Sequence, residues 1–259
     1  MMRKLSLIVC AVLIQGCAST TKQAPLVTEA PQESQLRAVH VDLVEQMIRQ
    51  ENYHAALAHI EELQRGERKD DKLLLLHARV MFKLGHINEA HNEYLQLLDG
   101  PFEAEALHGI GLIHAINNPT LSLEYLARAS EGRPTDASIR NDYGYALLRK
   151  GQYSQASLNL STAHELSPEE AKYRNNALLA LLILNDDKAA ERMAEKQALP
   201  SGLLKRIRGE ARQWQLRGEA ATESGQKDSQ SQSSETAEDA SKDAGQAPAN
   251  SEATVAQRS

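Results

Sequence analysis

The feature that most constrains this chain is a segment that recurs after 34 residues. Arg140-Asn141-Asp142 opens one apolar run, and Arg174-Asn175-Asn176 opens another 34 positions later. Apolar residues recur at spacings of three and four through roughly 180 residues, whereas the alternation of period two that marks a strand is absent. Short polar turns interrupt these runs about every 33 residues, with a second set of turns between them. We therefore predict an all-α chain built of repeated helical hairpins.

The clearest repeat unit covers residues 137–170, and small residues stand at regular places in it. Two antiparallel helices approach closely only where small side chains leave room, so we expect Gly144 and Ala156 to form the closest contact. Gly151 suits the turn between the helices, and Pro168 cannot extend the helix that precedes it. The residues predicted to pack this repeat are Gly144, Ala146, Gly151, Tyr153, Ala156, Ala163 and Pro168.

This pattern resembles the tetratricopeptide (TPR) repeat, in which small residues and a proline recur at the same places of a 34-residue unit. The resemblance implies a TPR α-solenoid over residues 37–218, with units near 37–70, 71–103, 104–136, 137–170 and 171–200. A C-terminal capping helix is expected over 201–218, where Leu203, Ile207 and Trp214 share one side. An alternative for that helix is a basic surface that meets anionic lipid or an acidic partner, formed by Lys205, Arg206, Arg208 and Arg212.

Both ends of the chain look unlike packed structure. Residues 1–16 have a basic start and a short apolar run, which is the layout of a secretory signal peptide. The Ile14-Gln15-Gly16-Cys17 junction resembles a bacterial lipobox, so Cys17 is the predicted lipidation site; an ordinary cleaved signal with an incidental cysteine is the alternative. Ala18 after the cysteine then implies the periplasmic face of the outer membrane. Residues 17–36 are predicted to be a lipidated tether, and 219–259 a disordered tail.

Composition and motifs argue against several functions. The chain has 29 Lys and Arg against 35 Asp and Glu, a net charge of −6, which argues against nucleic acid as a partner. His86 and His91 are five residues apart rather than four, so they leave one helix face and predict no metal site. No nucleophile motif or phosphate loop occurs. We therefore expect neither catalysis nor a cofactor, and an enzyme would require a polar cluster that the sequence does not reveal.

The TPR resemblance also implies where a partner binds. In that family the first helix of each hairpin lines a concave groove, and side chains at fixed places of that helix contact a peptide. Carried onto this sequence, the predicted partner-binding residues are Arg79, Lys83, Asn141, Tyr145, Arg149, Lys172, Asn175 and Leu179. The amides would hold a peptide backbone, and the four basic side chains would attract an acidic segment.

A narrower resemblance joins the repeats to the lipobox. The chain is similar to the TPR lipoproteins of the tight-adherence (Tad/Flp pilus) assembly system in size, in its N-terminus, in Arg140 to Gly144 and in Asn175 to Leu178. This resemblance implies a pilotin-like protein that binds the secretin subunit and helps it assemble in the outer membrane. The alternative is a general cell-envelope scaffold that serves peptidoglycan hydrolases or outer-membrane protein assembly.

Overall fold

The computed structural model describes residues 29–65 and 70–218, and these residues form eleven helices and no strand. The predicted lipidation site Cys17 and the predicted tail 219–259 lie outside the described residues. The helices are α1 (Glu29–Arg49), α2 (Tyr53–Gln64), α3 (Asp71–Leu84), α4 (Ile87–Leu95), α5 (Glu103–His114), α6 (Pro119–Gly132), α7 (Ala137–Arg149), α8 (Tyr153–Leu166), α9 (Ala171–Ile183), α10 (Asp187–Lys196) and α11 (201–218). The predicted all-α helical solenoid is confirmed.

The helices stack in chain order. From α1 to α10 each helix packs against the one before it, and the odd-numbered helices also touch one another, as α1 does α3, α3 does α5 and α7 does α9. These contacts place the odd-numbered helices side by side in one layer, with the even-numbered helices packed against them. Because each hairpin buries its apolar face mainly against its neighbours, the stack has an extended core rather than a central one.

The core runs along the stack as overlapping apolar clusters. Val44 and Ile60 belong to the N-terminal cluster, Tyr94 and Ile110 to the next, and Leu160 to the cluster that continues into α11. All five side chains are at most 2 % exposed. In α11 the residues Ile207 and Ala211 are buried in that last cluster, which means that α11 covers the apolar face of the final hairpin.

A left-handed residue ends the first helix of four hairpins. Gly85 has φ 87° and Gly151 has φ 73°, and no other atom would meet a Cβ at either position. Glycine adopts this conformation without the steric cost that other residues incur. Glu51 and Asn185, at the corresponding places 34 residues from Gly85 and Gly151, also have positive φ values, 61° and 60°. The repeated turn geometry therefore persists where glycine is absent.

The closest approach within the best repeat differs from our expectation. A Cβ on Gly144 would lie 2.7 Å from Leu160 Cγ and 3.2 Å from Asn159 Cβ, and Ala156 is not among its nearest neighbours. The atoms nearest to Gly144 thus belong to Asn159 and Leu160, about one turn further along α8 than the Ala156 that the sequence pairs with it. Ala156 is fully buried nevertheless, and it belongs to the same apolar cluster as Leu160.

The other residues predicted to pack this repeat differ in how deeply they are buried. Ala163 is fully buried, Tyr153 is partly buried against the C-terminal cluster, and Ala146 is partly buried beside a small cavity. Pro168 is exposed in the turn that joins α8 to α9. Its position agrees with a role in ending the helix rather than in filling the core.

The first helix begins earlier than the sequence indicated. The predicted tether extends to residue 36, but α1 starts at Glu29, so that its last eight residues are helical. Proline is disfavoured inside a helix, so Pro31 is compatible with a tether. It lies in the first turn of α1, however, where its missing N–H would have no partner within the helix in any case.

Asp136 is the N-cap of α7, and its removal tests how much one cap stabilises the repeat. The Asp136 carboxylate accepts hydrogen bonds from the backbone N–H groups of Ser138 and Ile139 at 3.0 and 3.1 Å. We expect Asp136→Ala to lower the free energy of unfolding by about 1 kcal/mol. Gln152, at the N-cap of α8, makes no capping bond with its side chain. Gln152→Ala is the matched control, and urea unfolding should show little change for it; equal losses would contradict the capping role.

Candidate functional site

The odd-numbered helices enclose a groove that contains a cavity of about 340 Å³. Side chains from six helices line it, and both signs of charge are present. The cavity-lining residues that carry polar groups are Arg79, Lys83, Tyr94, Glu105, His108, Asp136, Ser138, Asp142 and Lys172. Every one of the odd-numbered helices from α1 to α9 contributes at least one residue. A site of this kind can hold an extended segment across several repeats.

Three of the predicted groove residues line this cavity. Arg79 and Lys83 project from α3, one turn apart, and Lys172 projects from the start of α9. Neither Arg79 nor Lys83 makes a hydrogen bond or an ion pair with another described residue. Lys172 is different, because its Nζ donates to Asp142 Oδ1 at 3.0 Å. Among the described residues, the free cations of the groove are thus concentrated on α3.

Tyr145 and Arg149 line a smaller neighbouring cavity of about 80 Å³. The Tyr145 ring packs edge-on against Trp214 of α11, with 6.2 Å between the ring centroids. The Arg149 guanidinium donates to the carbonyl oxygen of Ala115 at 2.5 Å. The capping helix therefore reaches the exposed surface of α7, and both predicted residues already have partners within the protein.

Asn141 and Leu179 do not lie on an open surface, so their prediction as partner contacts is wrong. Asn141 is 0 % exposed, and its amide oxygen accepts from Asn176 Nδ2 at 2.8 Å. Its amide nitrogen donates to Asp142 Oδ1 at 2.9 Å. Leu179 is 3 % exposed within the cluster that includes α11. The Asn141 amide is hydrogen-bonded within the protein, and the Leu179 side chain is packed in the apolar core, so neither is available to a partner.

Asn175, the remaining predicted residue, is partly buried on α9. Its amide oxygen accepts from the Arg174 guanidinium at 3.2 and 3.3 Å. The amide nitrogen has no such bond among the described residues. Asn175 thus keeps a donor that a partner could use.

Asp142 joins three helices of the groove. Its Oδ2 lies 2.9 Å from His108 Nε2 on α5, and its Oδ1 accepts from Lys172 on α9. Burial by itself would raise the pKa of the Asp142 carboxyl, but the hydrogen bond and charge of His108 and the charge of Lys172 lower it to about 2. The carboxylate is therefore ionised near neutral pH, and it ties α5, α7 and α9 together.

Sequence reasoning missed Glu105, His108 and Asp142. Glu105 and His108 hold the second and fifth places of the unit that begins at Ala104, as the predicted groove residues Lys172 and Asn175 do in the unit that begins at Ala171. Applying that rule to this unit would have found them. Asp142 follows Asn141 directly, and only the packing of α7 shows that its carboxylate, rather than the Asn141 amide, faces the cavity.

Two further features are absent from residues 29–65 and 70–218. No group of three or more His, Cys, Asp or Glu side chains in these ranges is placed to share a metal ion. None of the helices formed there is long and apolar enough to cross a membrane.

Comparison with known proteins identifies a relative that carries the same kind of repeat. The chain is 32 % identical over 209 residues to a TPR repeat-containing protein of Pseudomonas aeruginosa, a match that covers 79 % of this chain and 82 % of that one. Among solved structures, a chain of MamA from Desulfovibrio magneticus RS-1 that begins at its residue 41 is 22 % identical with a TM-score of 0.45, and the match covers 62 % of this chain and 92 % of that one. A Thermobaculum terrenum O-GlcNAc transferase is 30 % identical with a TM-score of 0.40, over 44 % of this chain and 22 % of the transferase. No family model matches the chain.

Proposed function

Since the chain belongs to the tetratricopeptide-repeat proteins, we propose that its groove binds a segment of a partner protein in Flp pilus assembly. The TPR architecture makes the protein a scaffold for protein–protein interaction.

The observation that carries the proposal is the pair of unpaired cations on α3. Arg79 and Lys83 lie one turn apart, and both line the cavity of about 340 Å³. Because neither has an ion pair among the described residues, their charges are available to an incoming ligand. A carboxylate placed between them would form charge-assisted hydrogen bonds, which are stronger than neutral ones. The bound segment is therefore acidic where it crosses α3.

The resemblance of residues 140–144 and 175–178 to the tight-adherence lipoproteins supports the pilus assignment. In this proposal the partner is the secretin subunit, and the protein acts as its pilotin at the periplasmic face of the outer membrane. A general envelope scaffold would use the same groove for a different partner. The two functions differ in which protein binds. Recovery of the secretin by this protein would therefore support the pilus function over the envelope scaffold.

A pull-down tests the proposal. Full-length wild-type protein and the Arg79→Ala/Lys83→Ala double variant are used as bait on solubilised outer membranes of the native bacterium, and the secretin is detected with an antibody. We expect the double variant to recover at least about tenfold less secretin, since two charge-assisted contacts are lost. The wild-type interaction should also weaken as salt is raised, because both cations are at least partly exposed.

Lys188 and Arg192 on α10 provide the matched control. They have the same spacing, are exposed, and lie outside the groove. Lys188→Ala/Arg192→Ala should recover as much secretin as the wild type. Equal recovery by the groove variant would exclude Arg79 and Lys83 as the binding site. Failure of the wild type to recover secretin would contradict the pilus function and favour the envelope scaffold.

Attachment to the outer membrane through Cys17 is part of the same proposal. Cys17→Ser removes the sulfur that would carry the lipid, so we expect unprocessed precursor or a soluble periplasmic form that incorporates no labelled palmitate. Acyl chains hold a protein to a bilayer by about 0.8 kcal/mol per buried CH₂, so their loss should release it. A variant that remains in the outer-membrane fraction with the mass of the wild type would contradict the lipobox assignment.

A further inference from the structure

Glu105 carries an oxygen atom that the described part of the protein leaves without a partner. Glu105 lies in the first turn of α5 and lines the groove cavity. Its Oε1 accepts from Arg133 Nη1 at 2.6 Å, whereas Oε2 is buried and has no hydrogen-bond partner. The side chain is only 8 % exposed. The carboxylate is thus held in place by one bond and has unused capacity at the other oxygen.

This arrangement requires an explanation, because buried polar atoms almost always have partners. The positive end of the α5 dipole favours a carboxylate in the first turn, but it supplies no hydrogen bond to Oε2. The Arg133 side chain is 49 % exposed, so solvent screens much of its charge. A neutral residue at position 105 would avoid burying a charge here. The carboxylate is therefore better explained by a ligand than by the stability of the free protein.

The charges around the same cavity narrow the chemistry of that ligand. The carboxylate of Asp142 is already paired with His108 and Lys172. That of Asp136 caps α7. The Asp136 side chain is partly exposed, and its Oδ2 lies 3.9 Å from Arg133 Nε. Among the described residues, Glu105 Oε2 is therefore the buried carboxylate oxygen of the cavity that lacks a partner, while Arg79 and Lys83 on α3 are the cations that lack one. Glu105 forms no ion pair with either of them, although all three line one cavity.

We propose that the bound segment carries a lysine or arginine that donates to Glu105 Oε2, at a fixed distance from the acidic residue that meets Arg79 and Lys83. This inference rests on the proposed function, since it requires a protein segment in the groove. A cationic donor fits because it satisfies the unpartnered oxygen and offsets the buried charge. Two opposite charges at a set spacing fix the direction and register of the segment, which gives specificity.

Selection from a random peptide library tests the inference without knowledge of the partner. The immobilised full-chain Cys17→Ser protein should enrich peptides with Lys or Arg at a constant spacing from Asp or Glu. The same selection on Glu105→Gln should lose the preference for the basic residue and keep the acidic one. Arg79→Ala/Lys83→Ala should show the opposite loss. Glu103→Gln is the matched control, because Glu103 lies on the same helix, is half exposed and bonds to Arg128 at 3.4 Å.

Affinities of one selected peptide complete the test as a double-mutant cycle. Replacing its basic residue by alanine should weaken binding to the wild type about tenfold, as expected for a hydrogen bond between charged groups. The same replacement should change binding to Glu105→Gln by less than about twofold, because the two effects share one contact. If Glu105→Gln does not fold, Glu105→Asp keeps the charge and should retain the basic preference with lower affinity.

The outcomes separate this inference from the proposed function. Enriched peptides that contain the acidic residue but no basic one would overturn the role of Glu105 and leave the groove as a binding site for acidic segments. A basic preference that survives in Glu105→Gln would overturn it as well. If the wild type enriches no peptide at all, the groove does not bind extended segments, and both proposals are wrong.

Discussion

Gly109→Ala is expected to lower the free energy of unfolding by about 3 kcal/mol, at the upper end of what overpacking costs. A Cβ at this position would overlap three atoms of the Tyr94 ring. Any shift of the ring would disturb its packing, because Tyr94 is 2 % exposed and lies in the apolar cluster with Ala78 and Ile110. Thermal and urea unfolding followed by circular dichroism would measure the loss.

A glycine-to-alanine substitution in α11 should instead raise the free energy of unfolding. Gly209 lies within α11, and a Cβ added there would meet no neighbouring atom. Alanine is the better helix former, so Gly209→Ala should stabilise the protein by about 0.5–1 kcal/mol. In a Tyr94→Leu background, which removes the ring, Gly109→Ala should cost less than about 1 kcal/mol. An undiminished cost there would show that the ring is not the obstacle.

Asp142→Asn is expected to lower the free energy of unfolding at pH 7 by roughly 2 kcal/mol. The pKa of the Asp142 carboxyl is about 2, against 3.8 for the unperturbed group, because His108 and Lys172 outweigh the opposing effect of burial. A carboxyl whose pKa is lowered by folding contributes its full stabilisation above about pH 4. It loses that contribution as the pH falls towards its folded-state pKa of about 2.

The difference between wild type and Asp142→Asn should therefore shrink steadily when urea unfolding is repeated from about pH 4 down to about pH 2. Asp99 is an exposed residue that makes no side-chain hydrogen bond or ion pair with another described residue, which makes Asp99→Asn the control. Its effect should stay within about 0.5 kcal/mol at every pH. A difference for Asp142→Asn that does not change with pH would mean that lost packing, rather than lost charge, is responsible.

The ion pair between Asp142 and Lys172 also affects how the groove can bind an acidic peptide. Lys172 is 59 % exposed at its side chain, yet its ammonium group is held by Asp142. In Asp142→Asn this cation loses its charged partner within the protein. The variant should therefore bind acidic peptides no more weakly than the wild type, even though it is less stable. Stability and affinity thus separate at this residue.

The sequence by itself determined that the chain folds as a helical solenoid. The spacing of apolar residues and the 34-residue recurrence of Arg140 and Arg174 are local patterns, and a helix of about 3.6 residues per turn translates them directly into buried faces. Gly85 and Gly151 mark their turns for the same reason, since the left-handed conformation is a property of one residue and its immediate neighbours. These features can be recognised in the sequence without knowing which residues of other helices they contact.

Only the tertiary structure decided which side chains are free to bind. Neighbouring residues on a helix point about 100° apart, so Asn141 faces α9 while Asp142 faces the cavity. Their bonding partners come from other hairpins, such as Asn176 and His108, which lie 35 and 34 positions away along the chain. The unpartnered Oε2 of Glu105 is likewise visible only once every neighbouring donor has been placed. Which side chains form hydrogen bonds or ion pairs depends on distances between repeats, and the sequence pattern of a single repeat does not specify those distances.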